Sequence, residues 1–190
     1  MLIKLSHSDQ LPVSLQQIKA QLRLDHADDD EHLIHLIKAG SQWVEAYIGK
    51  CLLSQTWSQS WRGRGGGSGG LSHRSEKKST FFLGKLPLLN IKSATLVAPN
   101  NQRQAVINYI LKERAGRPSI QLKVPLPECH SLEIEYSSGY GDRPDDIPTD
   151  VRQALIVYVS CLYEHRTGID RSDLLGIYGL LNPHRELRLP

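Results

Sequence analysis

The hydrophobic pattern of this chain changes period twice, and that double switch limits the folds open to it. From Leu33 through Leu36, Ile37, Gly40, Val44, Tyr47 and Ile48, apolar or small residues recur at spacings of three and four. This is one helical stripe of about five turns, with Gly49 as its stop. Asp28-Asp29-Asp30-Glu31 opens it: Asp28 can cap the free N–H groups, and all four acids favour the positive end of the helix dipole. A second stripe runs through Val151, Ala154, Leu155, Tyr158, Val159 and Leu162. Ile147-Pro148-Thr149-Asp150 starts it and Gly168 marks its end.

Between the stripes the period falls to two. Leu132-Glu133-Ile134-Glu135-Tyr136 alternates most clearly, and Gln55 to Trp61, Ile91 to Val97, Val106 to Leu111 and Ile120 to Val124 also read as strands. Turn signals part them, among them Pro99-Asn100-Asn101, Gly116-Arg117-Pro118 and Ser138-Gly139-Tyr140-Gly141. Ahead of the first long stripe, Ser14 caps a short helix with Leu15, Ile18 and Leu22 on one face. The order predicts an α+β fold: a small bundle of two N-terminal helices and one C-terminal helix, interrupted by an antiparallel β subdomain, a small sheet or sandwich. The expected parts are residues 1–54 (helical core, first part), 55–146 (β insertion, with a Gly-rich loop at 62–79), 147–168 (helical core, second part) and 169–190 (a docking tail).

A chain of 190 residues buries enough surface to fold without a metal or a disulfide. Cys51, Cys129 and Cys161 lie far apart with no Cys-x-x-Cys pair, which predicts free thiols in a reducing compartment. The start, MLIKLSHSDQ, lacks a signal-peptide apolar run, and a run such as Leu155 to Val159 is far short of the ~20 residues that span a bilayer. No membrane association is expected. A net charge of +3 excludes a histone-like polycation.

Gly63 to Gly70 is the most conspicuous local feature. It lacks the Gly-Lys-Ser/Thr ending of a phosphate-binding loop, and strands flank it on both sides. Arg62, Arg64, Arg74, Lys77 and Lys78 around it face only Glu76, so a salt-sensitive, non-specific contact with DNA phosphates is open to it. Solubility accounts for the same charges equally well. His26, His32 and His35 cluster near Asp28 to Asp30, but no cysteine or further histidine is fixed nearby in sequence, and the reading is surface histidines without metal. No Gly-x-Ser-x-Gly and no local cysteine signature is present, so neither catalytic residues nor a cofactor are assigned. The tail carries an apolar patch, Leu174, Leu175, Ile177, Leu180, Leu181 and Pro183, followed by Arg185 and Arg188. Too apolar to stay solvated alone, it docks on a neighbouring subunit or another partner, or folds back over its own bundle.

Three blocks resemble the head–tail connector (adaptor) family of long-tailed double-stranded DNA phages and related gene-transfer agents. The first, Ser14 to Trp57, has Leu22-Arg23, the acidic run Asp28 to Glu31, Tyr47-Ile48-Gly49-Lys50 and the exit Leu52-Leu53-Ser54-Gln55-Thr56-Trp57. The second, Ser137 to Gly168, has the Gly-Tyr-Gly turn, the Ile-Pro helix start and a Tyr-Glu-His-Arg end. The third is LLNPHREL, with His184 where the family commonly has tyrosine. The blocks cover about half the chain, and the middle matches only loosely. The resemblance implies a structural, non-enzymatic virion protein, assembled in the host cytoplasm and carried in the particle neck. It also implies a twelve-copy ring under the portal protein, contact with a downstream neck, stopper or tail protein, and a channel for duplex DNA passing without sequence specificity. The competing class is a non-specific nucleic-acid-binding module built around the basic loop.

Overall fold

The computed structural model describes residues 1–62, 80–114, 116–123, 126–127, 129–165 and 168–186. The described chain divides into two compact units, each assembled from separated segments. One unit takes residues 8–54 and 139–190; the other takes residues 1–7 and 55–138.

The first unit is helical. Ser14 opens α1 (Leu15–Leu22) with a capping box: its side chain accepts from Gln17 N, and the Gln17 side chain accepts from Ser14 N at 2.8 Å. In α2 (Asp30–Ile48) the predicted stripe is the buried one, with Leu33, Ile37, Gly40, Val44 and Ile48 turned inward. Gly49 ends α2 in the left-handed conformation, φ 74°, as a C-terminal glycine should. The start of α2 differs from expectation. Asp28 stands almost fully in solvent, and the capping position falls to Asp29, whose backbone is not extended and whose side chain makes no cap bond. The acids serve as tethers instead: Asp29 accepts from Tyr163 Oη at 2.6 Å, and Asp30 pairs with Lys19 at 2.7 Å.

The second stripe forms α3 (Thr149–Glu164), and α4 (Arg171–Leu181) follows it. The α2 and α3 stripes close on each other in one core with Val13, Ile18, Leu53 and Ile147. At Gly40 the two helices approach closely. A Cβ there would lie 3.0 Å from Val159, 3.1 Å from Leu155 and 3.3 Å from Tyr158. Aromatic stacking binds α2 further to both its neighbours: Trp43 lies on Tyr158 of α3, with centroids 4.1 Å apart, and Tyr47 on Tyr178 of α4, 4.7 Å apart.

The second unit is a pair of antiparallel sheets. Five strands lie in the order β1 (Leu2–His7), β2 (Gln55–Arg62), β8 (Ser131–Ser138), β4 (Leu88–Val97) and β5 (Arg103–Ala105). Three more, β3 (Thr80–Phe82), β7 (Arg117–Leu122) and β6 (Tyr109–Arg114), form the other sheet. Leu132, Ile134 and Tyr136 of β8 and Ala94 of β4 share a core with Ile120 of β7 and with Leu83. The alternation of Leu132 to Tyr136 is thus the buried and half-buried register of a central strand, which pairs with β2 on one side and β4 on the other.

The mixed fold class is as the sequence implies: helices and antiparallel sheets, α+β. Several boundaries are not. Residues 1–7, read with the helical core, supply the edge strand β1, and residues 139–146, read with the β insertion, belong to the helical unit. The strand expected at Val106 to Leu111 lies three residues later.

Candidate assembly surface

The predicted docking patch does not stay together as a surface. α4 lays Ile177 and Leu181 into the core of its own unit, where both are essentially inaccessible, and Leu174 and Leu180 pack half-buried against the same core. The helical spacing of residues 177 and 181 aims the two side chains the same way. Leu175, 64% exposed, and Pro183 remain at the surface.

Past α4 the chain is clipped down by polar contacts. Asn182 accepts from Tyr47 Oη at 2.7 Å, Glu186 N donates to Ile48 O at 2.8 Å, and the exposed Arg185 guanidinium lies 5.1 Å from the Tyr47 ring centroid. His184 Nε2 stands 2.6 Å from Asp150 Oδ2 at the start of α3. Arg188 lies outside the described residues.

The hydrogen bond from His184 holds the Asp150 carboxyl below the ordinary carboxylate range; partial burial opposes this, and a bond from Val151 N assists. A depressed folded value means the ionised group adds stability above the unfolded carboxyl value of about 3.9, and this stability is lost as the pH falls through the lower folded value. Asp150 is 42% exposed, so the contribution is screened to well under about 1 kcal/mol. Asp150→Asn should therefore show a small deficit in urea midpoint near pH 6 that closes on acidification. A deficit that persists in acid would show that the contact is not ionic.

Of the basic loop residues, Arg62 sits exposed at the end of β2, while Arg64, Arg74, Lys77 and Lys78 lie outside the described residues. His32 and His35 are exposed on α2, and His26 faces Asp28 across 3.8 Å. No group of three His, Cys, Asp or Glu side chains among the described residues is placed to hold a metal. No helix among them is long and apolar enough to cross a membrane, and no disulfide links the three cysteines.

Sequence reasoning missed the apolar edges of the sheet unit. β1 is exposed along its whole length, with Leu2, Ile3 and Leu5 at the surface. Beside β6, Ile107, Ile110 and Leu111 are exposed too. The run Leu2-Ile3-Lys4-Leu5 was the available signal, an apolar segment with no helical stripe to join.

Both units together match known structures along their full length. A chain in the neck of an empty gene transfer agent particle computed with C6 symmetry superposes with a TM-score of 0.81 at 20% identity, covering 100% of this chain and 97% of that one. A chain of the virion of a native gene transfer agent particle gives 0.79 at 19% identity, with the same coverage. One from the neck of a native particle computed with C12 symmetry gives 0.74 at 20%, again with 100% and 97% covered. At these identities the likeness establishes a shared fold. No curated protein sequence matches the chain. The model of one protein family does, over residues 13–172, from the approach to α1 through the first residues of α4, and on that match the chain belongs to the head completion protein family.

Proposed function

We propose that this chain is a head–tail connector (adaptor) subunit, one copy in a ring of twelve between the portal and the downstream neck, stopper or tail protein. The ring leaves a channel for duplex DNA, which passes without sequence-specific contact. Its family consists of structural particle proteins, and the chain is not an enzyme. The observation that carries the connector reading is the full-length likeness to particle neck chains, through both the helical and the sheet unit. Twelve-fold symmetry in one of those necks supports the copy number. A ring closed by head-to-tail contacts requires two dissimilar side surfaces on each copy. The exposed remainder of the predicted patch, Leu175, Pro183 and Arg185, faces the portal or a neighbour. On this reading the subunit is made in the host cytoplasm and leaves it inside the particle.

Cryo-electron microscopy of particles built with this protein should show a twelve-fold ring at the portal's tail side. Particles assembled without it should accumulate as tailless heads. Normal tailed particles in its absence would overturn the proposal. Tight, sequence-dependent retardation of duplex DNA by the isolated protein at physiological salt would favour the nucleic-acid-binding module instead.

A further inference from the structure

Among the described residues, every large apolar side chain left exposed belongs to the sheet unit, Leu175 alone excepted. Most of them line two edges. One is β1, the outermost strand of the five-stranded sheet, where Leu2, Ile3 and Leu5 are exposed. The other is β6, the outermost strand of the three-stranded sheet, with exposed Ile110 and Leu111 and, just ahead of it, Ile107 at 83%. Each strand is six residues long, and among the described residues each pairs on one side only.

Soluble sheets ordinarily blunt such edges with charge, proline or a short strand. The other outer strands here follow that rule: β5 and β3 each have three residues. β1 and β6 do not. The bulge between Lys4 and Ser6 on β1 brings out a leucine, 52% exposed, where a protective bulge would present a charge. Just ahead of β6 lies a recess of about 370 Å³ lined by Leu96, Val106, Ile107 and Leu122, with Gln104 and Asn108 also in its wall.

We infer that β1 of one subunit adds to β6 of the next, joining two sheets of neighbouring copies into one continuous sheet. The occupant of each edge is a second copy of this chain, because one molecule carries both halves of the contact: two unlike apolar edges of equal length, six residues each. A contact between unlike surfaces repeats head to tail and closes when the rotation per copy divides the circle. The inference rests on the ring proposed above and names the surfaces that close it. Six paired residues span ~20 Å. A single strand pair of that length covers only part of a standard interface of about 1,200–2,000 Å², so the edge works together with other contacts in the ring and not as a dimer lock in solution.

Lys4 and Lys112 stand in the two edges and allow a direct test. Necks assembled from equal amounts of light and nitrogen-15-labelled protein are treated with an amine-reactive cross-linker and digested. Mixed-isotope peptides joining Lys4 to Lys112 are expected. Either Leu5→Glu or Leu111→Glu should lower their yield about tenfold, since each places a charge in one edge. Both side chains are exposed, so the melting midpoint of the free subunit should hold. Mixed Lys4–Lys4 peptides without Lys4–Lys112 would mean that like edges pair, and would overturn the inference. A ring whose density sets β1 and β6 of adjacent copies apart would overturn it while leaving the connector reading intact. Absence of any ring would remove both.

Discussion

Replacing Gly139 with valine should cost more than about 4 kcal/mol and leave the helical unit largely unfolded at ambient temperature. Gly139 has φ 150°, a conformation rarely open to residues with a side chain. Occupying it costs a non-glycine residue on the order of 1–3 kcal/mol by itself. Space then makes matters worse. A Cβ would lie 2.4 Å from Leu53 O and 2.8 Å from Ser54 Cα, and no side-chain rotation can relieve a clash with backbone. The chain would have to part at Tyr140 N to Leu52 O and Ser54 N to Gly141 O, the bonds that hold this turn against the exit from α2. Urea denaturation followed by circular dichroism would measure the loss. Gly139→Ala should already lower the midpoint clearly, and a wild-type midpoint for either variant would contradict the argument.

Leu155→Ala should remove about 2–5 kcal/mol by a different route. Leu155 is 1% exposed on α3 and packs onto the helix-facing side of Gly40. Truncation forfeits the transfer energy of the deleted carbons. It also leaves a void where α2 and α3 already pack closely, so the helices have little room to collapse inward. The thermal midpoint should drop on the order of 10 °C for a unit of this size. Gly40→Ala is the informative companion. The added methyl improves helix propensity by up to about 1 kcal/mol but must push Val159 and Leu155 aside by tenths of an ångström, so its effect should be far smaller than that of Leu155→Ala.

These two positions also mark what the residues alone reveal. The stripes holding Ile37, Val44, Leu155 and Tyr158 are legible because each runs for several turns, and a long apolar stripe must find another. The alternation at Leu132 to Tyr136 is legible for the same reason at period two. β1 is hidden: Leu2-Ile3-Lys4-Leu5 does not alternate, a bulge breaks its register, and its partner β2 begins at residue 55. Two glycines in Leu174 to Leu181 disguised α4 as a loose tail, although residues 177 and 181 already had helical spacing. The Gly-Tyr-Gly turn was visible as a turn; its destination was not. In the fold it meets Leu52, Leu53 and Ser54, so two segments that resemble the connector family from opposite ends of the chain are physically one joint. The apolar edges escaped notice because their residues look ordinary in sequence; only the sheet order leaves them outermost.

The interleaving of segments bears on how the subunit is born. β1 is synthesised first but has nothing to pair with until residues 55–62 emerge, and β2 in turn waits for β8 at 131–138. The α2 stripe must likewise stay uncovered until α3 leaves the ribosome, more than a hundred residues later. The sheet unit has all its segments once residue 138 has emerged, whereas the helical unit must wait for residues 139 onward. A chain terminated within the strand segments would carry open, greasy halves of both, which marks it for chaperones and proteases.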